Sequence, residues 1–243
     1  MERSNSLQKQ PPSSWGSREC QSFDLYLQAS GLPASALMEQ ASKQITDFLL
    51  SAEPTARIRS VAFLCGPGNN GADAIAAARQ LLCHPHITPL IYLPGGPPSP
   101  ESLLSLQYEA YKNLGGIEVD DLKLALNGSS ATPSILVDGL FGVGLRRPVS
   151  GNYAEALLVA QKSGIRTLAV DCPSGLDCDT GAAMGATLPA KWTISFIGPK
   201  RGFECDQGPR LCGEVQIADI GVRRELANRW LEQHRSSSQP AKT

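Results

Sequence analysis

The spacing of apolar residues along the chain changes near residue 60. Between residues 20 and 51 apolar positions recur every three or four residues, which predicts two helices, at 20–30 and 33–51. From Val61 onward, short apolar runs alternate with helical stretches. The runs predict buried strands at 61–65, 87–93, 134–138, 167–171, 192–196 and 215–220. The stretches between them predict helices at 72–82, 101–114, 121–126 and 151–163.

Strands that are apolar on both faces and alternate with helices belong to a largely parallel sheet that is covered on both sides. Right-handed crossovers make this arrangement a doubly wound α/β sandwich, in which ligands bind beyond the carboxyl ends of the strands. We expect one domain over residues 20–231. The Ser-, Pro- and Gln-rich segments 1–19 and 232–243 are expected to be disordered.

Composition narrows the function classes. The 243 residues include 22 Lys and Arg against 23 Asp and Glu, and this balance disfavours a nucleic-acid binder. No apolar run reaches the roughly 18 residues of a membrane-spanning helix, and the seven scattered cysteines do not indicate a disulfide scaffold. The first residues lack the pattern of a secretory signal, so a cytoplasmic location is expected, with a mitochondrial one left open.

A glycine-rich turn follows the first predicted strand. Residues 66–71 read Gly-Pro-Gly-Asn-Asn-Gly and satisfy G-x-G-x-x-G between a strand and a helix, the context of a dinucleotide site. The motif also suits a plain strand-to-helix turn. The next strand ends in Leu93-Pro94-Gly95 without the acidic residue that binds ribose in dehydrogenases, which weakens the oxidoreductase hypothesis.

Two further predicted strands end in aspartates, Asp138 and Asp171, each followed by a glycine-containing loop. Either aspartate alone could cap its own turn. Because parallel strands bring these ends to one edge of the sheet, Asp138, Asn70 and Ser174 together could offer oxygen ligands to a hard, weakly polarising cation.

The ordered set of these motifs resembles the YjeF amino-terminal domain family. The similarity rests on residues 66–71, 138–145 (Asp-Gly-Leu-Phe-Gly-Val-Gly-Leu), 170–177 (Val-Asp-Cys-Pro-Ser-Gly-Leu-Asp) and 37–41 (Leu-Met-Glu-Gln-Ala), and it extends over roughly 20 to 222. It implies a Rossmann-like three-layer α/β/α sandwich. It also implies an NAD(P)H-hydrate epimerase, an isomerase that interconverts the R and S epimers of hydrated NADH and NADPH (NADHX and NADPHX).

The resemblance also implies partners. A separate ATP- or ADP-dependent dehydratase would restore the cofactor, and we expect it on another chain. A homodimer is a further expectation, and neither nucleic acid nor membrane is expected as a partner.

The resemblance assigns roles residue by residue. Asp171 would contact the substrate and, by our hypothesis, exchange the proton while the ring carbon loses and regains its hydroxyl. One potassium ion per subunit would be held by Asn70, Asp138 and Ser174. The other substrate-binding positions would be Asn69, Asn70, Gly71, Ala72, Asp73, Gly142, Val143, Gly144, Leu145, Arg146, Arg147, Pro148 and Tyr153.

Two departures from the family pattern leave an alternative open. Ala72 and Ala74 stand where the family usually has glycine, and a methyl group there could obstruct the ligand. The alternative is a catalytically silent module that binds a protein or a nucleotide on the same scaffold. Arg146 and Arg147 suit phosphate contacts and plain surface positions equally well. Lys200, beside Pro199, is expected to be a solvated loop residue more often than a participant in the site.

Overall fold

The computed structural model describes residues 14–52, 58–128 and 132–238. Within them, seven parallel strands form one sheet in the order β3-β2-β1-β4-β5-β6-β7. The strands are β1 (Ser60–Cys65), β2 (Thr88–Tyr92), β3 (Ile117–Glu118), β4 (Ile135–Gly139), β5 (Thr167–Val170), β6 (Trp192–Phe196) and β7 (Glu214–Ala218). The strand order reverses between β1 and β4, which is where doubly wound sheets open a crevice for ligands.

Helices cover both faces of this sheet. They are α1 (Ser17–Ala29), α2 (Ala34–Ser51), α3 (Asn69–Leu81), α4 (Leu103–Asn113), α5 (Leu122–Asn127), α6 (Gly151–Ser163), α7 (Gly208–Leu211) and α8 (Arg224–Ser238), with a 3₁₀ turn at Arg201–Glu204. The three-layer α/β/α sandwich expected from the sequence is therefore confirmed. In the described ranges no helix combines the length and the apolar character needed to cross a bilayer.

The central strands are buried on both faces, as their continuous apolar sequences require. Phe63 of β1 points into one apolar cluster with Ile75 of α3, whereas its neighbour Leu64 points into a second cluster with Leu157 of α6. All residues of β1, β4 and β5 are buried. Burial on both faces leaves only the ends of these strands open to a ligand.

A third apolar cluster joins the two ends of the described chain. Phe23 of α1 lies with its ring centroid 5.3 Å from that of Trp15 and 5.0 Å from that of Trp230 in α8. At the same place the Glu19 carboxylate accepts hydrogen bonds from Arg201 at 2.6 Å and from Arg235 at 2.8 Å. These contacts fix α1 against the rest of the fold.

The structure differs from the sequence expectations at a few boundaries. The short strand β3 was not predicted, since two residues show no alternation, and α3 begins at Asn69 instead of residue 72. Ser14 to Glu19 are ordered into the fold through the buried Trp15. The segment expected to be disordered from residue 232 continues α8 to Ser238, because Arg235 has the Glu19 partner. The remainder of both expected disordered segments lies outside the described residues.

Candidate functional site

A cavity of about 470 Å³ opens at the carboxyl ends of the central strands. Its walls come from α1, α2, the first turn of α3, the loop after β4, and the segments after β5 and β6. Several residues assigned by resemblance lie in the lining, namely Asn69, Asn70, Asp73, Gly142, Val143, Gly144, Leu145 and Asp171.

The glycine-rich turn lets the backbone pass close to the loop after β4. A Cβ atom on Gly66 would lie 1.8 Å from the carbonyl oxygen of Leu140, and one on Gly71 would lie 2.0 Å from the carbonyl oxygen of Gly66. A Cβ on Gly68 would meet nothing within 4 Å. The close approach requires Gly66 and Gly71, and it places Asn69 and Asn70, at the amino end of α3, on the cavity wall.

The methyl groups of Ala72 and Ala74 do not enter the cavity. Both residues are fully buried in the apolar cluster that contains Phe63 and Val137. The Ala74 methyl packs against Gly139, where an added Cβ would lie 2.5 Å away. These alanines therefore act as interior helix positions, for which alanine is favourable.

Asp171 follows β5 directly and has an unusual backbone. Its φ of 62° lies in the left-handed region, which Asp adopts more readily than most residues. Its N–H donates to the carbonyl of Ile194 at 2.7 Å, and its Oδ1 accepts from the N–H of Phe196 at 3.3 Å. The other oxygen, Oδ2, faces Gly142, where a Cβ would lie 3.4 Å from it. One carboxylate oxygen is thus held by the protein, and the other borders the cavity.

Lys200 completes this arrangement as a buried ion pair. Its Nζ lies 2.7 Å from Asp171 Oδ1, and the two side chains are 1% and 13% exposed. Nζ also donates to Ser195 Oγ at 2.9 Å and to the carbonyl oxygens of Phe196 and Gly198 at 3.0 and 3.2 Å. Burial acts to lower the pKa of Lys200, but the Asp171 carboxylate and neighbouring groups reverse this effect, so the pKa is raised. Lys200 is not a solvated loop residue.

Asp138 and Ser174 are joined by hydrogen bonds beneath the cavity. Asp138 accepts from the Ser174 N–H at 2.8 Å and from its hydroxyl at 2.6 Å, and Ser174 Oγ accepts from the N–H of Phe141 at 2.9 Å. Burial raises the pKa of Asp138 to about 6, although the hydrogen bonds from Ser174 and Leu140 oppose the rise. Among the residues that the structure describes, no ammonium or guanidinium group pairs with this carboxylate.

Asn70 borders the same loop. Its Oδ1 would lie 3.0 Å from a Cβ on Gly142, and its buried Nδ2 has no hydrogen-bond partner within the described residues. Carboxylate, hydroxyl and amide oxygens are the donors of a hard cation, so the chemistry of Asp138, Ser174 and Asn70 fits a hard cation, the class to which potassium belongs.

Two carboxylates in the cavity wall have no protein partner. Asp24 of α1 and Asp73 of α3 are half-buried, and in the part of the chain that the structure describes neither carboxylate forms a hydrogen bond or an ion pair. Burial and then the charge of Asp171 raise the pKa of Asp24 to about 6, with Lys200 opposing. The pKa of Asp73 is raised well above its usual value by burial, then by Asp171 and Asp24.

Sequence reasoning did not identify Asp24. Gln21, Asp24 and Gln28 all line the cavity at helical spacing on α1, yet a polar stripe of this kind normally faces solvent. A clue in the sequence was the run of apolar residues on the other side of α1, which shows that the helix packs closely on the domain.

The remaining residues assigned by resemblance are outside the lining. Tyr153 packs edge-on against Phe141 with centroids 5.1 Å apart, and Phe141 itself lines the cavity. Arg146 is exposed and donates to the carbonyl oxygen of Val143 at 3.3 Å. Gly71 and Ala72 are buried, and Arg147 and Pro148 are exposed. Substrate binding by these residues stays a prediction.

Comparisons with known proteins agree with this geometry. The profile of the family described as "YjeF-related protein N-terminus" matches residues 34–202. An NAD(P)H-hydrate epimerase from Achromobacter xylosoxidans is 36% identical over 177 residues, covering 71% of this chain and 82% of that protein. A bifunctional NAD(P)H-hydrate repair enzyme from Dictyoglomus turgidum is 33% identical over 203 residues, covering 83% of this chain and 38% of that protein.

Among solved structures, the crystal structure of yeast ynu0 superimposes with a TM-score of 0.71 at 19% identity, covering 84% of this chain and 87% of that one. That likeness supports the fold. The family profile includes the ends of β1, β4, β5 and β6 that line the cavity. The chain belongs to the family of YjeF-related protein N-terminal domains.

Proposed function

We infer that this protein is an NAD(P)H-hydrate epimerase, an isomerase that interconverts the R and S epimers of hydrated NADH and NADPH. Its relative from Achromobacter xylosoxidans carries that name, and the chain covers most of that relative. The observation that carries the inference is the cavity-facing Asp171, paired with a buried lysine and leaving one carboxylate oxygen for a ligand.

The reaction needs a group that gives and takes one proton. The hydroxyl-bearing carbon of the hydrated ring is bonded to the ring nitrogen. In the proposed reaction the protonated form of Asp171 gives its proton to the hydroxyl, which leaves as water. The nitrogen lone pair forms a planar C=N⁺ bond, and Asp171 becomes the carboxylate that pairs with Lys200. Water then adds to the opposite face and returns its proton to Asp171, so atoms and charge balance.

The contacts of Asp171 suit this role. Lys200 Nζ and the N–H of Phe196 hold Oδ1, so the orientation of Oδ2 toward the cavity is fixed before a ligand binds. The buried ammonium also keeps the carboxylate from facing an apolar interior alone. Lys200 acts in this scheme as a positioning residue and need not touch the substrate.

Potassium is proposed as the bound cation, with Asn70, Asp138 and Ser174 as its protein ligands. The donor chemistry supports the choice, because these residues offer oxygens and Asp138 has no cationic partner within the described ranges. A bound cation would supply charge compensation for Asp138. The protein residues then keep the loop after β4 in contact with Ser174 through the Phe141 N–H.

The structure removes the main argument for the alternative hypothesis, a catalytically silent binding module. That alternative depended on methyl groups at positions 72 and 74 obstructing the ligand, and both methyl groups are in the apolar core. The unrelated oxidoreductase is disfavoured by the family to which the chain belongs.

We further propose that the protein works with a separate ATP- or ADP-dependent dehydratase that acts on one epimer. The bifunctional repair enzyme from Dictyoglomus turgidum supports such a pairing, since this chain corresponds to 38% of its length. A homodimer and a cytoplasmic location remain expectations from the sequence.

A coupled assay tests the function. Mixed epimers of hydrated NADH are treated with excess dehydratase and ATP, so that the epimer on which the dehydratase acts is consumed. The rate at which the remaining epimer disappears is then measured with and without this protein. We expect acceleration by the wild type and by Asp120→Asn, an exposed charge-matched control, and a loss on the order of a hundredfold for Asp171→Asn. A wild type that does not exceed the spontaneous rate would refute the epimerase. Undiminished Asp171→Asn would refute only the role of Asp171.

A further inference from the structure

Helix α1 contributes a wall of the cavity from outside the segment that matches the family profile, which begins at residue 34. Gln21, Asp24 and Gln28 face the cavity from this helix. The helix is held firmly, because Phe23 packs between aromatic rings and Glu19 is bound by two arginines. Its polar face is therefore presented to a ligand in a fixed position.

The charges around the cavity are unbalanced. Among the described residues, its charged lining consists of three carboxylates, Asp24, Asp73 and Asp171, and one ammonium, Lys200, which is committed to Asp171. The Asp24 carboxylate has no hydrogen-bond or ion-pair partner among the described residues, and the orphaned Nδ2 of Asn70 is an independent sign that a polar ligand completes the lining. Like charges in a half-buried space repel, and a cation placed among them relieves that repulsion.

The proposed reaction produces such a cation. When the C–O bond breaks, positive charge develops on the hydrated ring as the C=N⁺ bond forms, and it disappears when water adds. We propose that Asp24 is a further catalytic residue whose carboxylate faces the reacting ring and stabilises this transient positive charge. The inference rests on the proposed epimerase function. Asp24 itself exchanges no proton and forms no bond in this role.

The burial of Asp24 favours a charge role over a purely structural one. A structural carboxylate would have a hydrogen-bond or ion-pair partner, whereas Asp24 has none in the described chain. Its raised folded-state pKa means that the native state binds more protons than the unfolded state between about pH 4 and 6, so ionisation of Asp24 costs stability above that range. A group that is unfavourable for folding yet faces the ligand is typical of functional sites.

The test compares Asp24→Asn, Asp24→Glu and the exposed control Asp120→Asn in the coupled assay. For Asp24→Asn we expect kcat to fall roughly ten- to a hundredfold with little change in KM, because the charge acts mainly on the transition state. Asp24→Glu should recover part of the loss. At pH 7.5 the thermal midpoint of Asp24→Asn should equal or exceed that of the wild type, which would exclude unfolding as the cause.

The pH profile gives a second readout. Protonation of Asp24 should reduce wild-type kcat as the pH falls through about 6, and Asp24→Asn should lose that part of the decline. The other titratable groups facing the cavity are Cys20, Asp73, Asp171 and Lys200, and all are retained in the variant. An unchanged kcat, or a raised KM alone, would overturn the proposal while wild-type acceleration still supported the epimerase. A wild type without acceleration would overturn both.

Discussion

Replacing Lys200 by methionine tests the contact on which the site depends. Methionine matches the length of the lysine side chain but removes the ammonium, which leaves Asp171 without its counter-charge and also removes the donor from Ser195 Oγ and two carbonyl oxygens. The variant tests the loss of charge without a loss of side-chain volume, because a side chain of similar size still fills the space between β6 and the cavity.

The expected cost follows from burial. Removing one partner of a buried ion pair typically costs about 3–5 kcal/mol, and we expect the lower end because Asp171 is 13% exposed and borders the cavity. For a chain of this size, about 3 kcal/mol lowers the thermal midpoint by roughly 6–12 °C. The activity should fall as well, since Asp171 would no longer be held toward the ligand.

Thermal unfolding and the coupled assay measure both effects. Lys43→Met is the matched control, since its ion pair with Asp47 is exposed at 60% and 53% and should contribute less than about 1 kcal/mol. The double variant Lys200→Met/Asp171→Asn should recover much of the stability but none of the activity, because it removes the stranded charge. A loss for Lys200→Met no larger than that of the control would refute the reasoning.

Further predictions concern the turn, the cation and the core. Gly66→Ala should prevent folding or lower the thermal midpoint by about 10 °C or more, because its Cβ would lie 1.8 Å from the Leu140 carbonyl oxygen. Gly68→Ala should leave the midpoint nearly unchanged, because a Cβ there meets nothing within 4 Å. Potassium should raise the wild-type midpoint above that in sodium or choline, and Asp138→Asn should abolish the difference. Ala72→Gly should cost about 1 kcal/mol without raising activity, and a gain in activity would restore the obstruction hypothesis.

The ends of the central strands could be predicted from the sequence because they depend on local patterns. Continuous apolar runs of four to six residues identified the central strands. Because the strands are parallel, an aspartate at the carboxyl end of each strand could be placed at the same edge of the sheet. Asp171 follows β5 directly and Asp138 is the penultimate residue of β4, as expected. The boundary of α3 was less accurate, because Asn69 and Asn70 were assigned to the glycine-rich turn although they already belong to the helix.

Contacts between distant residues could not be predicted in this way. Lys200 next to Pro199 has the local pattern of a loop, and only the fold brings its ammonium to Asp171. Arg235 lies in a Ser- and Gln-rich segment, yet its partner Glu19 is at the other end of the described chain. Asp24 shares a polar stripe with two glutamines that a single helix would expose to solvent. Lys200 and Arg235 depend on distant partners, and Asp24 depends on the cavity that it faces, and no local period encodes any of these positions.

The distribution of charge in the cavity also determines how a dinucleotide can be oriented. Two like charges about 4 Å apart repel by about 4 kcal/mol at the effective dielectric of a protein surface, so we expect the pyrophosphate not to lie beside Asp24 and Asp171. The hydrated ring can lie beside these carboxylates, because it is uncharged in the substrate and becomes cationic during the reaction. We therefore expect the ring at the carboxylate end and the phosphates toward the amino end of α3 at Asn69, where free backbone N–H groups favour anions. The near-neutral chain thus separates its charges locally, and we expect that separation both to orient the substrate and to favour the transition state.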